Sequence, residues 1–294
     1  MSTPVILTKL DPRYPSRLLG VESGPPSIRW QGGPVEADRT VAVVGAREAT
    51  NDALAFASDI ASALAAADTV VVSGGATGID AAAHEAVLRV GGRTWVVAGT
   101  GPGHCYPASH ADLFDSIAKG PGAMLWPFEA GHRGAFLARN HVLVALADAV
   151  VVVQAGLRSG ALHAASCAIR LGKPLWVVPA APWMSEFAGS LQLVEAGARI
   201  LTSVGPLLSS LGVESSNDSH AATAGGASDA SLPTLSSCEY EVLECISNGA
   251  LHVDAIVARV HQSAQTVSAA LLTLALENVV VEGPPGLFRR RRAL

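Results

Sequence analysis

At 294 residues with a formal net charge of −5, the chain can hold one large α/β domain plus a smaller module. The sign of the charge argues against a uniformly basic nucleic-acid binder, although it leaves room for a local basic pocket. Hydrophobic residues make up 49% of the chain, yet no run reaches the roughly 18 to 20 uninterrupted apolar residues that a spanning helix requires. Met1 to Arg13 shows no apolar signal-peptide core behind a basic start, so a soluble, cytoplasmic protein is expected. Cys105, Cys167, Cys238 and Cys245 form no Cys-x-x-Cys pair and read as buried or incidental thiols.

Residues 1–35, with Tyr14, Pro15, Leu18, Leu19, Pro25 and Pro26, read as a leader that packs on a domain rather than folding alone. The main domain is expected over 36–208. Thr40 to Gly45 is an apolar run closed by glycine, which suits a parallel strand buried on both faces, and a helix should follow from about Thr50 to Ala67. Val70 to Val87 then reads as a strand, a turn of Ser73, Gly74 and Gly75, and a helix beginning near Gly78. Unpaired N–H groups at a helix start, approached along glycines, make a natural anion site. Further strands are expected at Arg93–Ala98, Ala123–Trp126, Ala149–Gln154 and, as the last, Leu175–Pro179; helices at Pro107–Ile117, Leu137–Ala147 and Ser159–Leu171. This alternation implies right-handed crossovers and a doubly wound, mostly parallel sheet with helices on both faces.

From 209 to 233 the chain turns to Ser, Ala, Gly, Asn and Asp and reads as a flexible linker. Beyond it, helical spacing at Cys238–Ser247, Val253–Val260 and Ser263–Glu277, followed by a glycine-turn hairpin at Val279–Phe288, indicates a small winged-helix domain over 234–294. Arg289 to Arg292 read as a solvated tail, with a phosphate-contacting wing as the alternative.

Loops at Gly45-Ala46-Arg47, Ser73–Gly78, Phe136–Asn140 and Gly156–Gly160 should meet at the sheet edge where open α/β sheets bind ligands. The first lacks the later glycines of a dinucleotide fingerprint and makes a poor NAD site, and no cofactor is expected. Arg47, Arg133 and Arg139 could converge there, and guanidinium groups offer planar paired donors to phosphate oxygens. Phe136 stands where a base could stack, or serves as a core residue at the helix entry. Asp80 and His84, four apart on one helix face, read as structural rather than as a metal or acid/base pair. Ser73 lacks the Gly-x-Ser-x-Gly elbow and any identified base, so covalent catalysis is not expected.

Taken together, Val41-Ala-Val-Val-Gly-Ala-Arg47, Val72-Ser-Gly-Gly-Ala-Thr-Gly-Ile-Asp80 with His84, Tyr106-Pro107, Phe136-Leu-Ala-Arg-Asn140, and Asp148 to Val153 with Arg158-Ser-Gly160 resemble the DNA-processing protein A (DprA/Smf) family. Asp11-Pro-Arg-Tyr-Pro15 and Pro25-Pro26 resemble its N-terminal region. The resemblance implies an extended Rossmann-like domain that binds single-stranded DNA in a positive pocket, forms a homodimer, and helps load the RecA recombinase on incoming DNA in natural transformation, without catalytic turnover. Carried over by motif, Arg47, Arg139 and Asn140 would hold phosphate and Phe136 would meet a base. Gly45, Ala46 and the loop of Ser73, Gly74, Gly75 and Gly78 would shape the pocket, and Arg133 matches a basic position ahead of the Phe-x-x-Arg-Asn motif. The chain departs from the family pattern at His141, where an arginine is usual, at Trp126-Pro127 and at Gly189-Ser-Leu.

Two other readings stay open. A nucleotide phosphoribohydrolase of the LOG type shares a similar sheet, but Gln154 to Leu162 does not match that family's second signature and lacks its glutamate. Alternatively, the winged helix binds protein or duplex DNA and the sheet domain only dimerises.

Overall fold

The computed structural model describes residues 3–21, 24–131, 134–213, 237–246, 251–260, 262–276, 279–283 and 286–290. The chain divides into two compact units, 1–217 and 218–294. In the first unit the order is β1 (Val5–Thr8), α1 (Ser16–Leu19), β2 (Ser27–Gly32), β3 (Thr40–Val44), α2 (Asn51–Ala66), β4 (Val70–Ser73), α3 (Ile79–Arg89), β5 (Thr94–Val97), α4 (Ala111–Lys119) and β6 (Ala123–Trp126). It continues with α5 (Ala135–Leu146), β7 (Ala149–Val152), α6 (Gly160–Arg170), β8 (Leu175–Val177), α7 (Ala188–Glu195), β9 (Arg199–Ile200) and α8 (Gly205–Ser210).

The strands form one nine-stranded sheet in the order β1-β2-β6-β5-β4-β3-β7-β8-β9, parallel from β6 to β9 and antiparallel at β1 and β2. From β3 the chain winds outward through β4 and β5 to β6, and α5 then carries it back to β7 on the other side of β3. Loops leaving β3 and β7 therefore diverge, and the crevice between them is the topological switch point of a doubly wound sheet.

Strand alternation sends side chains to both faces, and both are covered. Val41, Val43, Val71 and Val151 pack with Ile60 and Leu64 of α2 and Ile79 and Val87 of α3. Ala42, Val44, Val72 and Val152 pack with Val142 and Leu146 of α5 and Ala164 and Ala168 of α6. Two buried faces explain why β3 and β7 read as uninterrupted apolar runs. Each fully buried Ile or Leu contributes about 1.5–3 kcal/mol.

The first 35 residues hold more structure than their composition suggests. β1 and β2 pair in register, with Val5 opposite Trp30 and Thr8 opposite Ser27, and β2 pairs with β6 through Trp30 and Leu125. Ile28 and Trp30 point inward while Arg29 alternates with them, a period of two short enough to be hidden by the surrounding prolines. The Tyr14 hydroxyl donates to the Pro25 carbonyl, and Arg17 of α1 donates through Nε and Nη2 to the Asp148 carboxylate at 3.2 and 3.0 Å. Asp148 also accepts from the Thr40 amide at 2.8 Å, so one carboxylate ties the leader to the starts of β3 and β7. Burial by itself would raise the Asp148 carboxyl; the Arg17 and Thr40 hydrogen bonds and the Arg17 charge hold it below the usual carboxylate range.

Leu175–Val177 is not the last strand. Trp176 pairs with Arg199 of β9, whose guanidinium lies 5.4 Å from the Trp176 ring, and two residues are too few to show a period. The expected helix from Pro107 begins instead with a 3₁₀ turn over Ala108–His110 before α4. α7 and α8 follow β8 where no helix was anticipated.

The second unit contains α9 (Ser237–Cys245), β10 (Leu251–His252), α10 (Val253–Val260), α11 (Ala264–Leu276), β11 (Val280–Glu282) and β12 (Leu287–Arg290). β10, β12 and β11 form an antiparallel sheet in that order, and Val242, Ile246, Ile256, Val267, Leu271, Leu274 and Val280 form the core. These elements make a winged helix. Arg289 and Arg290 belong to the wing strand β12, opposite Val281 and Val280, rather than to a tail. Arg291 and Arg292 lie outside the described residues, as does 214–233 of the expected linker.

Candidate nucleic-acid interface

The loops after β3 and β4 are locked together by backbone. The Ile79 amide at the start of α3 donates to the Ala46 carbonyl at 3.2 Å. A Cβ on Gly45 would stand 2.5 Å from Ile79 Cγ1. Gly78, with φ of 78°, would place a Cβ 2.2 Å from the Ala46 oxygen. Only glycine accepts both the left-handed backbone and that approach. On the other side, buried Gln154 at the end of β7 accepts from the Thr50 amide at 3.0 Å, and Thr50 caps α2 by accepting from Ala53 at 3.2 Å. Arg47 is thus carried, exposed, on a loop fixed at both ends.

Beneath it lie two buried charged residues, Asp80 and Arg139. The Asp80 Oδ2 accepts from the Gly74 and Ala76 amides at 3.2 and 3.3 Å. The Arg139 guanidinium from α5 covers Gly74 so closely that a Cβ there would sit 1.5 Å from Nη1. Both side chains are only 6% exposed. Burial raises the Asp80 carboxyl, opposed by Arg139 and the two amides; burial also lowers Arg139, with Asp80 opposing and Arg47 adding repulsion. Arg47 and Arg139 line the same cleft, and an anion held there would offset the repulsion between their charges.

A cleft of about 560 Å³ opens over this pair at the switch point. Of the residues expected from sequence, Gly45, Ala46, Arg47, Phe136, Arg139 and Asn140 line it. Ser73, Gly74 and Gly75 are buried below it: Ser73 Oγ donates to the Val43 carbonyl at 2.6 Å, Gly74 makes room for Arg139, and Gly75 packs against Phe114. Gly78 forms the N-cap of α3, and Arg133 lies outside the described residues.

Phe136 lies over Gly99, where a Cβ would come within 2.7 Å of Cδ1, and its ring centroid is 5.2 Å from that of exposed Tyr106. Asn140 is turned inward: its Nδ2 donates to the Gly160 carbonyl at 3.0 Å and so sets the start of α6. Ser159 caps that helix by accepting from Leu162 at 3.3 Å. The first turn of α6 borders the cleft through Gly160 and Ala161, adding the positive end of a helix dipole. Exposed Arg158 lines the same wall, and Glu48 and Glu186 bring negative charge to the rim. Sequence reasoning placed the 156–160 loop at this edge but did not assign Arg158, Ser159, Gln154 or Tyr106 to the site. The N-cap pattern Ser159-Gly-Ala-Leu162 after a strand was the available signal for the first two.

Fold and cleft together define a doubly wound, Rossmann-like domain with an arginine-bearing cleft at its switch point, accompanied by a winged helix. The chain belongs to the DNA recombination-mediator protein A family, whose model matches residues 5–212, and the DprA winged-helix domain model matches residues 226–286. It is 38% identical over 242 residues to a putative DNA processing protein DprA of Mycobacterium tuberculosis, covering 79% of this chain and 60% of that protein. To Protein Smf of Synechocystis it is 37% identical over 217 residues, covering 71% of this chain and 54% of that one. The chain thus spans between half and two thirds of these relatives' length. DNA processing protein A from Helicobacter pylori, whose structure describes a single-stranded DNA binding mode, superposes with a TM-score of 0.64 at 28% identity, over 71% of this chain and 95% of that one.

Proposed function

We propose that the switch-point cleft binds single-stranded DNA, and that the protein protects incoming DNA and assists loading of the RecA recombinase in natural transformation and recombination, without catalytic turnover. The observation that carries this reading is the placement of Arg47, Arg139 and Phe136 on one cleft, with Phe136 packed against exposed Tyr106. Charged donors held over a glycine suit phosphate oxygens, and a half-buried ring at the same opening suits an unstacked base. Membership of a recombination-mediator family and likeness to the H. pylori protein support the same reading. Action as a homodimer in the cytoplasm belongs to the proposal; among the described residues no helix is long and apolar enough to cross a membrane.

The test is a gel-shift comparison of single-stranded and duplex oligonucleotides across a salt series. Preference for the single strand, lost in Arg47→Ala and Arg139→Ala, supports the reading; unchanged binding by both variants sinks it. Release of free base from nucleoside monophosphates would place the protein with the phosphoribohydrolases. RecA filament growth on single-stranded DNA, followed with and without the protein, tests the partner, and the mass in solution tests the homodimer.

A further inference from the structure

Trp183 is 85% exposed, whereas Trp30, Trp95, Trp126 and Trp176 are all less than 8% exposed. An indole buries on the order of 150–250 Å² when it packs, so one left in water stands out as surface awaiting a partner. The loop that carries it is held at both ends. The Met184 amide donates to the Ala181 carbonyl at 3.0 Å, the Phe187 amide to the Met184 carbonyl at 3.0 Å, and the Phe187 side chain is buried in the core.

This loop follows β8, which runs parallel to β7 and β3, so it leaves the sheet at the edge that carries the cleft. Three residues beyond Trp183, Glu186 lines the cleft. The first turn of α7 then lies directly on the loop bearing Arg158, since a Cβ on Gly189 would stand 2.5 Å from the Gly156 carbonyl oxygen. Along the edge the order is therefore Tyr106 after β5, Arg47 after β3, Arg158 after β7 and Trp183 after β8. Aromatic rings stand at the two ends and guanidinium groups between them.

We propose that Trp183 is a base-stacking residue that extends the grip of the cleft on single-stranded nucleic acid beyond Arg158. The inference rests on the reading of the cleft as a single-stranded DNA site. Four strand spacings separate β5 from β8. At roughly 4.8 Å each this is about 19 Å, which a strand stacked at roughly 3.4 Å per nucleotide covers with about six nucleotides. Stacking on an aromatic face is tolerant of base identity, as a general single-strand binder requires.

The test titrates the full chain and its Trp183→Ala and Trp183→Phe variants with a twelve-residue thymidine oligonucleotide and with an abasic strand of equal phosphate number, following affinity and tryptophan emission. Thymidine strands should quench the emission of the parent, and Trp183→Ala should weaken thymidine binding roughly tenfold. Trp183→Phe should retain most of the affinity, and the abasic strand should bind parent and Trp183→Ala alike. If Trp183→Ala binds thymidine strands as tightly as the parent, or loses both strands equally, the stacking role is wrong while the cleft reading stands. A parent that binds neither strand overturns the cleft reading itself. If Trp183→Ala instead halves the mass in solution, Trp183 belongs to a face between copies of the chain and the proposal is overturned.

Discussion

The Arg139 guanidinium occupies the space above Gly74 that any other residue's Cβ would fill, with Nη1 only 1.5 Å from that position. Gly74 is not among the glycines of positive φ, so its backbone accepts alanine. Gly74→Ala should therefore displace the flexible end of Arg139 while leaving the sheet intact. A lost charge-assisted contact is worth about 1.5–3 kcal/mol, so oligonucleotide affinity should fall between about tenfold and a hundredfold, as in Arg139→Ala. Fluorescence anisotropy measures the loss, and circular dichroism checks the fold.

Arg47 and Arg158 are exposed on neighbouring loops of the cleft wall. Each phosphate neutralised contributes about 0.7 to the slope of log affinity against log salt for a single strand. Arg47→Ala and Arg158→Ala should each lower that slope by about 0.7, and the double variant by about 1.4. A salt series on each variant separates direct phosphate contacts from indirect effects, which leave the slope unchanged.

Gly78→Ala should behave differently from Gly74→Ala. Its φ of 78° and a Cβ 2.2 Å from the Ala46 oxygen oppose backbone to backbone, with no flexible side chain to yield. Left-handed strain of this kind costs of order 1–3 kcal/mol before the collision is counted. Thermal unfolding should drop by several degrees, and DNA affinity should fall with it because the displaced loop carries Arg47.

His84 of α3 is fully buried beside Thr94. The Thr94 hydroxyl donates to the Val71 carbonyl at 2.8 Å, so at 2.6 Å it accepts from His84 Nδ1, leaving Nε2 without a hydrogen-bond partner among the described residues. Burial first, then the charges of His110 and Arg139, push the His84 pKa down to about 3 from 6.5. The unfolded chain then binds a proton that the folded chain refuses between about pH 6.5 and pH 3, so stability is full above that window and falls as the pH drops through it. Urea unfolding across this range should show the decline, and His84→Gln should flatten it.

Asp148 is the single carboxylate joining Arg17, the Thr40 amide and the Thr40 hydroxyl. Asp148→Ala leaves the Thr40 amide without its acceptor and takes from Arg17 its closest carboxylate, while the Ala37 and Asp38 carbonyls still accept from the guanidinium, and should cost about 2 kcal/mol in denaturant unfolding. With its carboxyl held low, the Asp148 contribution is present above the ordinary carboxylate pKa and is lost as the pH falls through the folded value. DNA affinity should not change, because Asp148 sits at the opposite end of β7 from the cleft.

Much of the main domain was legible because its signals are local. Thr40–Val44 and Ala149–Val152 declare themselves as strands buried on both faces, and the Thr50 cap, the Gly78 turn and the helical spacing of Leu54, Ile60 and Leu64 bound the helices between them. β1, β2 and β9 were missed because their pairing is set by partners elsewhere in the chain, Val5 to Trp30, Trp30 to Leu125 and Arg199 to Trp176, and because β1 and β9 are short strands at the sheet's edges.

The site divides along the same line. Residue type and motif order alone placed Arg47, Phe136, Arg139 and Asn140 at one sheet edge, since strand ends of a parallel sheet share an edge whatever their order. Which of them faces the cleft was decided only in three dimensions. Ser73, Gly74 and Gly75 lie under the cleft, Asn140 turns its amide to Gly160, Arg158 lines the wall, and the order β5-β4-β3-β7-β8 puts the loops of Tyr106 and Trp183 on the same sheet edge. That order depends on which crossover packs on which face of the sheet, a balance of long-range burial that no short stretch of sequence records.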